Sequence, residues 1–124
     1  MTLLRLIPIH VHAVLETLLA PVLIVAPFAL GFDPAAMIAA VVLGVLLMGT
    51  ALATGASLSG SQAGDAGLRV SAHASLDLGF AFAATGSALV FGFSGDPVAG
   101  LFFGVVAILQ GALATTTRYA TVPA

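Results

Sequence analysis

Long apolar stretches, separated by short polar breaks, organise this chain. Four of them, near 9–31, 35–57, 71–93 and 97–118, carry almost no charge. Crossing a hydrocarbon core of about 30 Å takes roughly 20 helical residues, and each stretch is long enough. The breaks carry turn chemistry. Gly31 and Gly92 suit helix C-termini, where a residue without Cβ can turn left-handed. Asp33 and Asp96 suit N-caps, with Pro34 and Pro97 at the first helical position, where a missing N–H costs nothing. The links 32–34 and 93–97 therefore predict tight helical hairpins. Pro21 and Pro27 fall inside the first span and predict a bend.

The pattern occurs twice. His12-Ala-Val-Leu-Glu16 opens the first apolar stretch, which closes on Gly31-Phe32. Sixty-one positions later, His73-Ala-Ser-Leu-Asp77 opens another, which closes on Gly92-Phe93. Each copy then runs through Asp-Pro into a second apolar stretch. We read a single membrane domain over 1–124, with one repeat near 9–57, a second near 71–118 and a polar linker near 58–70. The copies differ at Pro21 and Pro27, which face Phe82 and Ala88, so the hairpins are only approximate copies.

Composition supports lipid as the solvent. Of 124 residues, 60% are hydrophobic and 6% charged, with a mean hydropathy of +1.21. Soluble domains carry about 25% charged residues. The chain has no lysine, which argues against a nucleic-acid partner. It has no cysteine, which removes disulfides and thiol chemistry. Arg5 before an apolar run has the shape of a signal peptide, but the run is too long and recurs internally.

Arg5, Arg69 and Arg118 all fall on the side of the termini and linker, while the hairpin tips carry Asp33 and Asp96. The positive-inside rule then places both termini in the cytoplasm. With two spans per repeat, both copies insert the same way up. The expected fold is an all-α, integral membrane four-helix bundle made of two tandem helical-hairpin repeats in parallel orientation.

Membrane helices meet through small residues. The fourth span offers a stripe of Gly100, Gly104, Ala107 and Gly111; the third offers Gly79, Ala83 and Ser87; the second offers Ala40, Gly44 and Ala51. These stripes close the bundle or form a surface for another subunit. Phe102 and Phe103 lie off the stripe and are expected to face lipid or a partner.

His12 and Glu16 lie one helical turn apart, as do His73 and Asp77, so imidazole and carboxylate can touch. If the first helices of the repeats adjoin, the four groups converge. A charged group at a membrane helix centre costs about 2.5–3.5 kcal/mol on insertion scales. The pairs could hold the bundle together. They could bind a divalent metal, or two imidazoles could flank a haem. They could also line a proton or solute path. Spacing alone assigns no metal ligand and names no cofactor. His10 has no counterpart and is expected at the headgroup level, and Asp65 in a solvated loop. Ser57, Ser59, Ser61, Ser71 and Ser75 have no motif around them, and there is no phosphate or nucleotide loop, so no enzyme is expected.

Leu4-Arg5-Leu6-Ile7-Pro8, His12-x-x-Leu15-Glu16 and Ala26-Pro27-Phe28-Ala29-Leu30-Gly31-Phe32 together resemble the bacterial and archaeal SPW-repeat membrane proteins. Ala26-Pro27-Phe28 stands in the Ser-Pro-Trp place, and the second copy has Ser87-Ala88-Leu89 there. The resemblance implies a small four-helix protein of the prokaryotic cytoplasmic membrane and carries over no catalytic residues. The expected function is that of a non-enzymatic membrane protein, a homo-oligomer or an accessory subunit of other membrane proteins. The alternative is a small transporter, channel or haem- or metal-binding protein using the four polar residues.

Overall fold

The computed structural model describes residues 6–58 and 70–118. Four helices pack in a bundle: α1 (Ile9–Leu30), α2 (Pro34–Leu58), α3 (Val70–Phe93) and α4 (Pro97–Thr116). All four are long and apolar enough to cross a membrane by length and composition. Contacts are densest within α1–α2 and within α3–α4. The pairs α2–α3 and α1–α4 touch less and complete the ring. Two short strands, β1 (Ile7–Pro8) and β2 (Thr117–Arg118), pair in parallel beside the start of α1 and the end of α4.

Each helix buries one narrow stripe. In α1 it is Ile9, His12, Ala13, Glu16, Ala20, Leu23 and Pro27. Steps of three and four keep these residues on one face. In α4 the stripe is Ala99, Gly100, Phe103, Val106 and Gln110. Both first-helix pairs predicted from sequence thus sit on core stripes, since His73 and Asp77 are buried as well. Around them, Ala20, Leu23, Leu47, Phe80, Ala84 and Val106 form one apolar cluster. Phe32, Ala36, Ala40, Ala99 and Phe103 form a second at the hairpin end.

The hairpin turns differ. Gly31 is left-handed (φ 69°), and its N–H bonds the Pro27 carbonyl. In the second turn the left-handed residue is Gly95 (φ 104°), not Gly92, which is still helical. Ser94-Gly95 has no counterpart before Asp33, so α3 continues past Gly92 before turning. Asp96 caps α4: its Oδ1 accepts the Ala99 N–H at 3.1 Å. Its Oδ2 accepts the Asp33 N–H at 2.8 Å, which ties the two turns together. Asp33 holds the position before α2, with its carbonyl accepting the Met37 N–H at 2.9 Å, while its side chain is exposed. Helix α1 runs unbroken through Pro21 and Pro27.

One packing expectation is narrowed and another corrected. On α3 the residues that meet the α4 glycines are Ala88 and Gly92, and Gly79 and Ala83 stay outside that contact, which leaves the stripe's other expected role, a surface for another subunit, untouched. A Cβ on Gly100 would lie 2.5 Å from Gly92 Cα, and one on Gly104 would lie 4.0 Å from Ala88 Cβ. A Cβ at Gly79 would meet nothing within 4 Å, and Ala83 is exposed. Two small-residue stripes run side by side on α3, and composition does not say which one a neighbour uses. Phe103 is fully buried and Phe102 half-buried, against the expectation that they face outward. They stack with Phe32 and Phe91 in an aromatic cluster, at centroid distances of 5.3–6.2 Å. Gly100 and Gly104 do pack, Ala107 is half-buried against the first cluster, and Gly111 has open space. On α2, Ala40, Gly44 and Ala51 all face inward.

Candidate functional site

The four predicted polar residues meet between the helices, near the end of the bundle where α1 and α3 begin. His12, Glu16 and His73 are fully buried and Asp77 nearly so. His12 Nε2 lies 3.0 Å from Glu16 Oε1 and 3.0 Å from Asp77 Oδ2. His73 Nε2 lies 3.0 Å from Glu16 Oε2 and 3.2 Å from Asp77 Oδ1. Each carboxylate therefore bridges both imidazoles, one through each oxygen. The rings approach edge to face with centroids 5.3 Å apart. The i,i+4 spacing on α1 and on α3 supplies two of the contacts. The other two exist only because α1 and α3 face each other across the bundle.

Three further residues complete the site, and the sequence reading missed them. Gln110 of α4 donates from Nε2 to Glu16 Oε1 at 2.7 Å and to Asp77 Oδ1 at 3.3 Å. Thr117 Oγ1 lies 2.6 Å from His12 Nδ1. Thr54 Oγ1 pairs with His73 Nδ1. All three are buried. Their signal in the sequence was positional: Gln110 continues the core stripe of α4, and Thr54 that of α2. Thr54 and Thr117 also stand at matched places, each 21 residues after the Asp of its hairpin turn. Each binds the histidine of the other hairpin. Gln110 matches Leu47, a buried core residue, so the site is asymmetric here as well as in pairing Glu16 with Asp77.

Local chemistry sets Thr117 in place. Thr115, Thr116 and Thr117 return their hydroxyls to the carbonyls of Gly111, Ala112 and Leu113. Such back-bonding by β-branched residues competes with helix continuation. Helix α4 ends at Thr116, two residues short of the expected 118, and Thr117 turns extended (φ −85°, ψ 139°) to pair beside Ile7. Because the Thr117 hydroxyl proton is given to Leu113, its oxygen accepts from His12. His12 therefore carries its proton on Nδ1, and Nε2 is turned to the carboxylates.

An apolar cleft of about 360 Å³ runs between α2 and α3, lined by Leu43, Leu47, Thr50, Gly79 and Phe80, and reaches Asp77. Gly79 and Ala83 line this cleft instead of a helix contact. His10 is exposed and away from the cluster. The predicted positions Arg5, Asp65 and Arg69, with Ser59 and Ser61, lie outside the described residues, and so does most of the linker. No family model matches this chain, and no curated protein or solved structure matches it either.

Proposed function

We propose that this is a non-enzymatic integral membrane protein that self-associates or serves as an accessory subunit of a larger membrane complex. The observation that carries this reading is the distribution of polarity. Leu18, Phe28, Ile38, Phe82, Leu101 and Ile108 on the outside are 63–76% exposed, while the four ionisable residues of the cluster are enclosed. In water such a surface drives association. In a bilayer it is the solvated surface, and the enclosed polar groups satisfy one another. The tetrad's role in this reading is to join the hairpins, since every imidazole and carboxylate contacts a residue of the opposite hairpin.

The finer reading is two hairpin repeats inserted the same way up in a prokaryotic cytoplasmic membrane. Both termini are cytoplasmic, and the tetrad lies towards that face. Its support is the recurrence of His-x-x-x-acid and Asp-Pro, the placement of the three arginines and the resemblance to SPW-repeat proteins. Alkaline carbonate should leave the protein in the membrane pellet. In mild detergent its native mass should be a multiple of the 12.3 kDa chain, or that of a stoichiometric complex. Release by carbonate would overturn the membrane reading, and a bare monomer the association reading.

A transporter or channel is the second reading, favoured by the cleft that reaches Asp77. Under it, His12→Ala with His73→Ala abolishes a flux and leaves assembly intact. A double variant that does not assemble supports the joining role instead.

A further inference from the structure

We infer that His12, Glu16, His73 and Asp77 form a binding site for one divalent first-row transition metal ion, with zinc the best fit. The four residues each offer a ligand atom, and these atoms lie within 4.8 Å of one another. Zinc bonds nitrogen and oxygen at about 2.0–2.2 Å, so neighbouring ligands in a tetrahedron stand roughly 3.3–3.6 Å apart. The four imidazole–carboxylate approaches of 3.0–3.2 Å run through both oxygens of each carboxylate, so an ion would take one oxygen from each and draw the four ligand atoms inward from their present spread of up to 4.8 Å.

Charge and tautomer agree with this donor set. Two buried carboxylates carry two negative charges, which one divalent cation balances without protonating either histidine. His12 holds its ring proton on Nδ1 for Thr117, which directs the Nε2 lone pair at the centre. Thr54 Oγ1 stands at Nδ1 of His73. A hydrogen-bond partner on the far ring nitrogen is the usual outer support of a metal-bound histidine. Gln110 supports the carboxylates through Nε2, while its Oε1 is buried with no partner among the described residues.

The same chemistry selects the ion. Calcium and magnesium need six or more oxygen ligands, which two carboxylates and two imidazoles do not supply. Copper(I) prefers thiolate or thioether, and the chain has no cysteine. A haem between the imidazoles would have to displace the two carboxylates that bridge them.

The test uses the full, untagged chain in mild detergent. Elemental analysis of protein purified without chelator should find about one zinc, iron or manganese per chain. After stripping, Co²⁺ should give the intense visible absorption of a four-coordinate site, and Zn²⁺ should abolish it. Asp77→Asn should lose that absorption, and Thr117→Val should weaken Co²⁺ binding about 10–100-fold. A wild-type protein that stays helical and binds no Co²⁺ would overturn the proposal, with the tetrad then closed by protons. Equal binding by Asp77→Asn would also overturn it, placing the metal elsewhere. If Asp77→Asn does not fold, the wild-type spectrum and the Thr117→Val affinity decide. A negative result leaves the joining role of the tetrad standing, because native mass reads that role separately.

Discussion

Single residues in this bundle do work that their neighbours of the same type do not. Gly100 and Gly111 belong to one predicted stripe, yet a Cβ on Gly100 would meet Gly92 Cα at 2.5 Å and one on Gly111 would meet nothing. Backbone cannot give way as a side chain can. Gly100→Ala should therefore cost about 1–3 kcal/mol, read as a lower melting temperature in detergent, and Gly111→Ala should be close to neutral. Equal effects would contradict the close approach of α3 and α4. The two turn aspartates divide in the same way. Asp96 accepts from Ala99 and from Asp33, whereas the Asp33 side chain is exposed. Asp96→Ala should cost about 1–2 kcal/mol as a lost cap, and Asp33→Ala less, in the same melting assay. The cap at Asp96 was legible in the sequence. The bond between the turns was not, because it joins positions 63 residues apart.

At the scale of the helix, apolarity located the elements and left their orientation open. Each expected span is within two residues of the observed helix, the largest difference being the end of α4 at Thr116. Helices that are apolar all round give periodicity little to report, so faces were legible mainly where a polar residue marked them. His12 and Glu16 mark α1, and His73 and Asp77 mark α3. On α3 the marker Asp77 shares a face with Phe80, Ala84 and Ala88, and the stripe of Gly79, Ala83 and Ser87 lies beside it. On α4 the marker was Gln110, whose face includes Phe103, but the glycines drew attention to the adjacent face. Because the tetrad joins elements, losing one member should loosen the hairpins from each other. Removing one partner of a buried charged set costs about 3–5 kcal/mol. Hairpins produced as separate chains, divided within 59–69, should co-purify, and Glu16→Ala should abolish the co-purification. Retention at wild-type yield would show that apolar packing alone holds α1 to α3.

For the whole molecule, the proposed orientation can be read directly, because the chain lacks cysteine and a single one can be placed anywhere. Cysteine at Ser94, an exposed residue of the second turn, should react in intact cells with a membrane-impermeant thiol reagent. Cysteine at Thr2 should react only after the cells are opened. The reverse pattern would invert the topology.

The sequence by itself determined the quantities that depend on local order along the chain. These are the number and length of the helices, the turn chemistry, the His–acid pairs one turn apart and the doubling of the pattern. Each follows from hydrophobicity, capping or i,i+4 spacing, which act over a few residues. Tertiary structure decided which faces meet. It placed Thr54 and Thr117 on the opposite hairpin's histidines, set Gln110 between the carboxylates, turned Phe103 inward and bridged the turns through Asp96. Those contacts depend on the relative rotation of helices whose surfaces are apolar on every side. Only the packing of all four settles that rotation, because only a few polar and glycine positions tell one apolar face from another.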